Sequence, residues 1–392
     1  MFNKILNKKV LIFGPIGDFG GRDVEVNIIA KSLNGKYNIS LLSSIYISDK
    51  SYALADLAVQ NFTSFQIQAF NSSLLLRILA YVLKFKNKKN KKAYAFVKNK
   101  LSKKIFNFKK NNISILESKI KESDVVIACV QLSSNYLKEL VEISNKHNKP
   151  CIVRTTGTIR DFDIKKTDFL KRVALFVHHS ETNARNLNNQ IELPYAIIDQ
   201  CALNDNCLLE LPINFNQKKK YGFLGRISRE KGIIELIDFF CKNDDYEFIV
   251  AGNGVLKNDI EIKSKEKKNI KFLGQINQQE LYKFFKEIDV LVIASHEESG
   301  PLVGLEAMAA GKIIISTKVG AMEDRLFSTE NDFWIDINEK KSINLSIEII
   351  EQLKQADLVK IAEINRQVYV KKYSFATIKS QYLALIDNII VK

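Results

Sequence analysis

The stretch SHEESGPLVGLEAMAAGKIIIST (residues 295–317) decides the fold of the second half of the chain. The apolar segment IDVLVIAS (288–295) that leads into it predicts a buried parallel strand. After a turn that contains glycine and proline, the apolar run LEAMAAG predicts a helix, and the β-branched run KIIIST predicts the next strand. A strand, a glycine turn, a helix and a strand form the arrangement in which backbone N–H groups at a helix start contact a phosphate.

Two acids, Glu298 and Glu306, lie on either side of this turn. Glu298 precedes the predicted helix, and Glu306 falls in its first or second turn. Because a carboxylate accepts hydrogen bonds from hydroxyl groups, the pair could bind sugar hydroxyls on both sides of a diphosphate. The segment therefore predicts a nucleotide-sugar site. The alternatives are an exposed loop acid for Glu298 and, for Glu306, complementation of the helix dipole, which contributes about 0.3–1 kcal/mol.

The length of 392 residues is too great for one ordinary hydrophobic core and suits two domains. Continuous apolar segments alternate with helical patterns in both halves, as in parallel sheets covered on both faces. The sequence therefore predicts the α/β class with two doubly wound, Rossmann-like domains. The main predicted strands are KKVLIFGP (8–15), DVVIACV (124–130), KPCIVRTT (149–156), VALFVHHS (173–180), YGFLGRI (221–227), YEFIVAGNG (246–254) and IKFLGQI (270–276). VEVNIIAKSLNGKY (24–37) and YSFATIKSQYLALIDNII (373–390) are predicted helices.

The cysteines, histidines and amino terminus argue against several classes of protein. The five cysteines form no C-x-x-C pair, and the four histidines have no zinc-ligand spacing, so we expect neither a disulfide framework nor a metal site. The apolar part of MFNKILNKKVLIFG (1–14) is too short for a membrane span and is followed by no small-residue cleavage site. We therefore expect a cytoplasmic protein with neither a signal peptide nor a transmembrane anchor.

The formal charge of +15 is concentrated in one region, because residues 57–116 contain thirteen basic residues and no acidic one. Within it, SLLLRILAYVLKF (73–85) is apolar, and residues 86–110 interleave lysines with aromatic and aliphatic side chains. A solvated lysine face, a membrane surface and a nucleic-acid site are the three possible interpretations. The apolar anchors among the lysines favour an anionic membrane surface through residues 73–110, where each cation gains about 1 kcal/mol, and argue against nucleic acid.

A second constellation is GRISREKG (225–232), where Arg226 and Lys231 flank a turn between a predicted strand and a helix. Two cations at the carboxyl end of a strand suit a diphosphate leaving group. Its negative charge grows as the bond to the sugar breaks, so fixed positive charge there favours the transition state. The alternative is a solvated basic turn with Ser228 or Glu230 as a helix cap.

The two constellations together resemble the retaining glycosyltransferases of family 4, the glycosyl transferases group 1, which have the GT-B architecture. At the amino terminus, GGRDVEVNIIAKSL (20–33) is similar to the family's glycine loop and following helix, with Asp23 where glutamate is usual. Three further segments fit the family: IVAGNG (249–254), FLGQI (272–276) and TKVGAMEDRL (317–326), the last with Asp324 in place of glutamate.

The resemblance implies a fold, a division into domains and an activity. Residues 1–192 would form an acceptor-binding domain that faces a donor-binding domain, residues 193–370, across a cleft, and the helix 371–392 would cross back to the first domain. The implied reaction transfers a hexose from a nucleotide-diphosphate sugar to a hydroxyl of a lipid-linked or oligosaccharide acceptor with retention, in bacterial surface polysaccharide assembly. We expect the enzyme at the inner face of the cell membrane. A sugar-nucleotide 2-epimerase and a non-catalytic nucleotide-sugar-binding protein are the alternatives.

The resemblance also implies roles for individual residues. Arg226 and Lys231 would hold the donor diphosphate and, with Glu298 on the transferred sugar, form the catalytic set. Because the two cations neutralise the diphosphate, the nucleotide sugar is a co-substrate, and neither a cofactor nor a metal is expected. Glu306 would hold the ribose hydroxyls. The implied donor-binding residues are Gly20, Gly21, Gly225, Gly252, Gly254, Ser299, Gly300, Pro301, Leu302, Val303 and Glu306.

One departure from the family pattern bears on the catalytic role of the first domain. Family members often carry His-Gly after a strand of the first domain, whereas RTTGT (154–158) puts Thr156 in the place of the histidine. Threonine carries no charge, so Arg154 or Arg160 would have to supply one. Arg154 and Thr156 are therefore predicted acceptor-side residues whose roles stay open.

Overall fold

The computed structural model describes residues 8–57, 61–87, 91–160, 163 and 167–391. The chain forms two compact units, and each contains one parallel sheet. The first unit comprises residues 8–178, Ala184–Ile198 and 379–391, and the second comprises His179–Asn183 and Asp199–Ile378. The predicted α/β class with two Rossmann-like parallel-sheet domains is confirmed.

The first unit contains a seven-stranded sheet in the order β3-β2-β1-β4-β5-β6-β7. All of its paired strands are parallel, and Ile12 in β1 lies opposite both Leu41 and Ile127. The strands are β1 (Lys9–Gly14), β2 (Asn38–Ser43), β3 (Phe62–Ser64), β4 (Val125–Val130), β5 (Cys151–Thr155), β6 (Leu175–His178) and β7 (Tyr195–Ile197).

The α-helices that precede the second sheet in the described part of the chain are α1 (Gly21–Leu33), α2 (Phe65–Ser72), α3 (Leu74–Asn87), α4 (Ser102–Ile105), α5 (Phe108–Lys121), α6 (Leu137–Lys146), α7 (Glu181–Asn188) and α8 (Asp205–Leu209). Helices α3, α4 and α5 lie wholly or partly within residues 73–110. Helix α1 begins three residues before the predicted start at Val24, directly after Gly20, and ends before Asn34.

The second unit contains a six-stranded parallel sheet in the order β10-β9-β8-β11-β12-β13. Its strands are β8 (Lys220–Leu224), β9 (Glu247–Ala251), β10 (Ile270–Gly274), β11 (Val290–Ile293), β12 (Ile313–Ser316) and β13 (Phe333–Trp334). Its helices are α9 (Ile233–Lys242), α10 (Lys257–Glu266), α11 (Gln278–Glu287), α12 (Leu302–Ala309), α13 (Met322–Leu326), α14 (Lys340–Gln352) and α15 (Gln355–Tyr373), and the chain ends with α16 (Phe375–Val391).

Both faces of the second sheet are buried, which explains the continuous apolar runs in the sequence. Successive side chains of a strand point to opposite faces. Accordingly, Val290 and Val292 of β11 belong to one hydrophobic cluster, and Leu291 and Ile293 belong to another. Each buried methylene stabilises the fold by about 0.8 kcal/mol. Apolar residues at every position of such a strand are therefore stabilising.

The strand order reverses once in each sheet, between β1 and β4 and between β8 and β11. At such a point the chain leaves the two neighbouring strands in opposite directions, so the loops after their carboxyl ends leave a crevice. Ligands of open α/β sheets bind in crevices of this kind. The predicted segments GRISREKG and SHEESG follow β8 and β11, so they flank the crevice of the second sheet.

The unit boundaries differ in detail from the sequence-based division. The division between residues 192 and 193 falls inside Ala184–Ile198, which groups with the first unit because β7 pairs with β6. The final helical segment is divided as well, with α16 belonging to the second unit up to Ile378 and to the first unit thereafter. In the first unit, Lys36 and Tyr37 both contact Asp387 of α16.

The described helices include none that is both long enough and apolar enough to cross a membrane. The amino-terminal residues 1–7, on which part of the expectation about membrane anchoring rests, lie outside the described residues.

Candidate functional site

Two of the three predicted catalytic side chains meet at the crevice of the second sheet. Lys231 ends a short 3₁₀ turn (Arg229–Lys231) after β8, and Glu298 lies in the loop after β11. The Lys231 ammonium is in direct contact with the Glu298 carboxylate, which also accepts a hydrogen bond of 3.3 Å from the Ser295 hydroxyl. The Lys231 and Glu298 side chains are 21% and 18% exposed, so the ion pair is partly withdrawn from water but reachable.

Burial and, to a smaller extent, the nearby positive charge of Arg226 lower the pKa of Lys231 to about 8. Desolvation disfavours the charged form of an amine, and a like charge adds to this effect. An anion entering the crevice would favour the charged form and so oppose both effects. Lys231 is therefore a cation whose charge depends on what occupies the site.

Arg226 lies at the exposed side of this cluster. Its side chain is 71% exposed and its Nη1 atom lies 3.5 Å from Glu230 Oε1. An exposed pair of this kind contributes at most about 1 kcal/mol, so little holds the guanidinium in place. Arg226 is close enough to influence Lys231, but it does not contact Glu298 as Lys231 does.

Glu306 is a buried acid in the middle of α12. No group of the described residues donates a hydrogen bond to its carboxylate, and burial raises the pKa of Glu306 to about 7. A buried carboxyl without a donor is costly unless a ligand supplies one. Ribose hydroxyls are donors of this type.

Two glycines allow the loops of the site to pack closely. Gly252 has a φ of 144°, and a Cβ there would overlap the carbonyl oxygen of Gly225. Gly232 has a φ of 65°, and a Cβ there would overlap the carbonyl oxygen of Ala294. A Cβ at Gly254 would lie 2.3 Å from the Ile227 carbonyl oxygen, which is also an overlap. In contrast, a Cβ at Gly225 would meet no atom closer than 3.5 Å.

The loop that starts α12 is held by a buried ion pair that sequence reasoning missed. Arg325 is fully buried and donates to both Asp199 oxygens, at 2.7 and 2.8 Å. Its Nη1 donates to the Pro301 carbonyl at 2.6 Å, and Asn183 Nδ2 donates to the Ser299 carbonyl at 2.7 Å. Gly300 packs against Arg325, and the helix continues with Leu302 and Val303. These contacts fix the position of the first helical N–H groups.

The remaining predicted residues belong to the first unit. Gly20 and Gly21 precede and begin α1, and Arg154 is fully buried against Glu25, with 2.8 Å between Nε and Oε1. Arg154 also donates to the Ile198 carbonyl, so its contacts are those of a core ion pair. This arrangement argues against Arg154 as the replacement for the missing histidine.

Arg22, which sequence reasoning also missed, brings a positive charge to Thr156. Arg22 Nε donates to Thr156 Oγ1 at 3.1 Å, and Nη1 lies 3.5 Å from the Pro15 carbonyl. Burial lowers the pKa of Arg22 from its ordinary value, although the group stays a cation. The arginine inside GGRD was the available signal, but nothing in the sequence joined it to residue 156.

Part of the chain is similar to a known protein family. Residues 212–368 match the family described as "Glycosyl transferases group 1". The matched range covers most of the second unit. The match includes Arg226, Lys231, Glu298 and Glu306, which form the site described above.

Three curated relatives match about two fifths of the chain. An uncharacterised glycosyltransferase of Methanocaldococcus jannaschii is 29% identical over 38% of this chain and 41% of its own length. The capsular polysaccharide biosynthesis glycosyltransferase CapM of Staphylococcus aureus is 28% identical over 41% and 40%. The alpha-monoglucosyldiacylglycerol synthase of Acholeplasma laidlawii is 30% identical over 42% and 43%. The chain thus spans about two fifths of the length of the curated relatives it matches.

The fold of the whole chain is similar to that of solved glycosyltransferase-like structures. Anabaena HepE, crystallised in complex with UDP, has a TM-score of 0.71 at 15% identity, over 97% of this chain and all of HepE. A glycosyltransferase from Rickettsia africae has a TM-score of 0.70 at 15% identity, over 98% of this chain and 99% of its own. At this identity the similarity shows the fold alone.

The close packing at Gly252 gives a testable prediction. Because Gly252→Ala would force a Cβ into the Gly225 carbonyl at a positive φ, we expect the free energy of unfolding of the second unit to fall by about 1–3 kcal/mol. The measurement is urea unfolding followed by the fluorescence of Trp334, the single tryptophan of the chain, which lies in the second unit. Gly225→Ala is the matched control and should unfold at nearly the wild-type midpoint. Equal midpoints for the two variants would contradict the packing described.

Proposed function

We propose that the chain is a glycosyltransferase that moves a hexose from a nucleotide-diphosphate sugar to a hydroxyl of a glycan acceptor with retention of configuration. The observation that carries the proposal is the contact of Lys231 with Glu298 at the strand-order reversal, within a glycosyl transferases group 1 domain. The lysine provides charge for a diphosphate, and the glutamate provides an acceptor for sugar hydroxyls. The two functional groups that the reaction requires therefore lie in contact.

In the proposed mechanism, donor binding exchanges the partners of this ion pair. The diphosphate takes Lys231 from Glu298, and the released carboxylate accepts hydrogen bonds from hydroxyls of the transferred sugar. The N–H groups at the start of α12 lack partners within the helix and can donate to the diphosphate; Pro301 has no N–H, so these donors begin at Leu302. Glu306, in the same helix, accepts from the ribose.

Lys231 and Arg226 also assist departure of the nucleotide. As the bond between the sugar and the diphosphate breaks, negative charge accumulates on the leaving oxygen, and fixed cations stabilise that state more than the bound substrate. We propose that the two cations take the place of a divalent metal ion. Arg226, which is exposed and weakly held, would close on the diphosphate only when the donor is bound.

A uridine diphosphate hexose is the donor that we propose to test first. Anabaena HepE, whose fold is similar, has been crystallised with UDP, with UDP and glucose, and with UDP-glucose. Retention follows from the resemblance to retaining enzymes of the family, which need no dedicated nucleophile. CapM of Staphylococcus aureus is a capsular polysaccharide biosynthesis glycosyltransferase, which supports a surface glycan as product.

We also propose peripheral attachment to the inner face of the cell membrane through α3. Six apolar side chains of this helix are more than half exposed, whereas Leu76 and Ala80 on the opposite face are buried. Lys84 and Lys86 in its last turn suit an anionic leaflet. The exposed residues are Leu74, Leu75, Ile78, Tyr81, Val82 and Phe85. Residues 88–90 of the predicted surface 73–110 lie outside the described residues.

The transfer reaction is tested with Lys231→Ala and Glu298→Gln. Loss of one preorganised charge in such a site lowers kcat by about 10²–10³-fold, and we expect both variants to lose transfer by this factor or more. The assay supplies a UDP-hexose and candidate acceptors, with and without EDTA, and analyses the anomeric configuration of the product. Lys257→Ala, which removes an exposed lysine of the same unit, is the control and should retain wild-type transfer.

Full activity of both site variants would refute the assignment. Isomerisation of the donor in the absence of an acceptor would identify a 2-epimerase instead, and donor binding without turnover would identify a non-catalytic binding protein. Inhibition by EDTA that Mg²⁺ restores would refute the metal-free proposal alone.

Membrane attachment is tested by sedimentation with anionic vesicles. Because Ile78→Ser with Val82→Ser removes two apolar contacts of about 1 kcal/mol or more each, we expect vesicle binding to weaken about tenfold or more. Phe327→Ser is the control, because Phe327 is 89% exposed but lies in the second unit. Undiminished binding of the α3 variant, or equal loss in the control, would remove the proposed surface.

A further inference from the structure

The first unit contains a cavity of about 1120 Å³ that the donor site does not use. It opens beside the carboxyl ends of three neighbouring strands, since Pro15, Ser44 and Gln131 on its wall directly follow β1, β2 and β4. The reversal of strand order between β1 and β4 lies at the same place. Crevices at such reversals are where open α/β sheets bind ligands.

The charge of the cavity is strongly positive. Four lysines line it, whereas Glu139 is its single acidic residue. Lys109 is 3.8 Å from this carboxylate, a long and exposed pair that neutralises little. The lysines are Lys98, Lys103, Lys104 and Lys109, which α4, α5 and the segment before them supply. A ligand with negative charge is therefore favoured.

Two buried amide oxygens give a second and independent sign of a ligand. Asn112 is 5% exposed and donates through Nδ2 to the Tyr136 hydroxyl at 2.9 Å, yet its Oδ1 has no donor among the described residues. Gln66 Oε1 is likewise buried and without a donor in the described part of the chain. Both side chains line the cavity. Buried oxygens of this kind are normally satisfied, and sugar hydroxyls would satisfy them.

An aromatic wall completes the cavity. Tyr136 packs edge-on against Phe65, with 5.1 Å between ring centroids, and both rings line the space. The backbone of Tyr136 has a φ of 69°, a conformation that costs energy for a non-glycine residue and persists where surrounding contacts hold it. The hydrogen bond from Asn112 is one such contact. A fixed aromatic side chain offers an apolar face to a sugar ring.

The cavity adjoins the Arg22 and Thr156 pair described above. The carbonyl of Pro15 on the cavity wall lies 3.5 Å from Arg22 Nη1. On the other side, the Gln131 side chain contacts Gly157, the residue that follows Thr156. A ligand in the cavity would therefore lie beside Thr156, which stands in the place of the family's histidine.

We propose that this cavity binds the acceptor, and that the acceptor is a phosphate-bearing sugar. The lysines hold the phosphate, the oxygens of Gln66 and Asn112 accept hydrogen bonds from sugar hydroxyls, and Tyr136 packs on the ring. The phosphate belongs either to the glycan itself or to the head group of a lipid carrier. The inference rests on the proposed function, because it assigns the second substrate of the same reaction.

The experiment measures binding of glucose 1-phosphate to the full chain by calorimetry, in a Lys231→Ala background that removes the anion site of the second unit. We expect the phosphosugar to bind more tightly than glucose or inorganic phosphate alone. The double variant Lys103→Gln, Lys104→Gln loses two charge-assisted contacts and should bind the phosphosugar at least about tenfold more weakly. Lys100→Gln with Lys110→Gln makes the same change in charge at exposed lysines outside the cavity, and should weaken binding less than about twofold. Gln66→Ala should weaken phosphosugar binding without changing the affinity for phosphate.

Several outcomes would overturn the proposal. Equal weakening by the two lysine pairs would mean general charge attraction, and phosphate binding as tight as phosphosugar binding would mean an adventitious anion only. Loss of binding to anionic vesicles with unchanged phosphosugar binding would mean a membrane contact instead. Two outcomes would support the proposal and identify the source of the phosphate. If the protein binds a phosphosugar lipid in vesicles more tightly than the free phosphosugar, the phosphate belongs to a lipid carrier. If it binds both equally, the phosphate belongs to the glycan. Transfer to phosphosugar acceptors at the wild-type rate in the Lys103 and Lys104 variant would sink this inference and leave the proposed function intact.

Discussion

The parallel pairing of β8 with β11 is the constraint on which the candidate donor site depends, because it brings the ends of two loops distant in sequence to one crevice. There Lys231 and Glu298 neutralise each other. If a simple anion such as inorganic phosphate bound Lys231, the partly buried carboxylate of Glu298 would lose its partner, which is energetically costly. A ligand that carries both a diphosphate and sugar hydroxyls would compensate both groups. The ion pair therefore explains how a small site could select a nucleotide sugar over inorganic phosphate.

The rest of the second unit keeps this crevice in shape. The bidentate hydrogen bonds from Arg325 to Asp199 fix the loop before α12, because the same guanidinium also donates to the Pro301 carbonyl. Removal of one partner of a buried pair leaves an uncompensated charge and typically costs about 3–5 kcal/mol. The donor site thus rests on a rigid base, whereas Arg226 at its exposed side is weakly held. A rigid acid and lysine with a mobile arginine suit a site that must admit and release a large ligand.

Much of the fold could be predicted from the sequence because its main strands and turns follow from short local patterns of apolar residues and glycines. Apolar runs indicated the central strands β1, β4, β8 and β11, and glycines indicated the turns after them. The sequence assigned Lys231 and Glu298 to one site, but it did not predict that the two side chains contact each other. Short edge strands such as β3 and β13 carry too few residues for a pattern. Arg325 with Asp199 and Arg22 with Thr156 were missed because each joins residues more than a hundred positions apart, and only tertiary packing relates them.

The central claim is that a diphosphate takes Lys231 from Glu298, and the pH dependence of UDP binding tests it most directly. Burial lowers the pKa of Lys231 to about 8, so the ammonium loses its proton above that pH. An anion binds the protonated form, so the affinity for UDP should fall up to about tenfold per pH unit above pH 8. Lys231→Arg stays charged, so its affinity should be nearly constant between about pH 7 and 9. The same pH dependence in both proteins, or wild-type affinity that does not fall, would contradict the account.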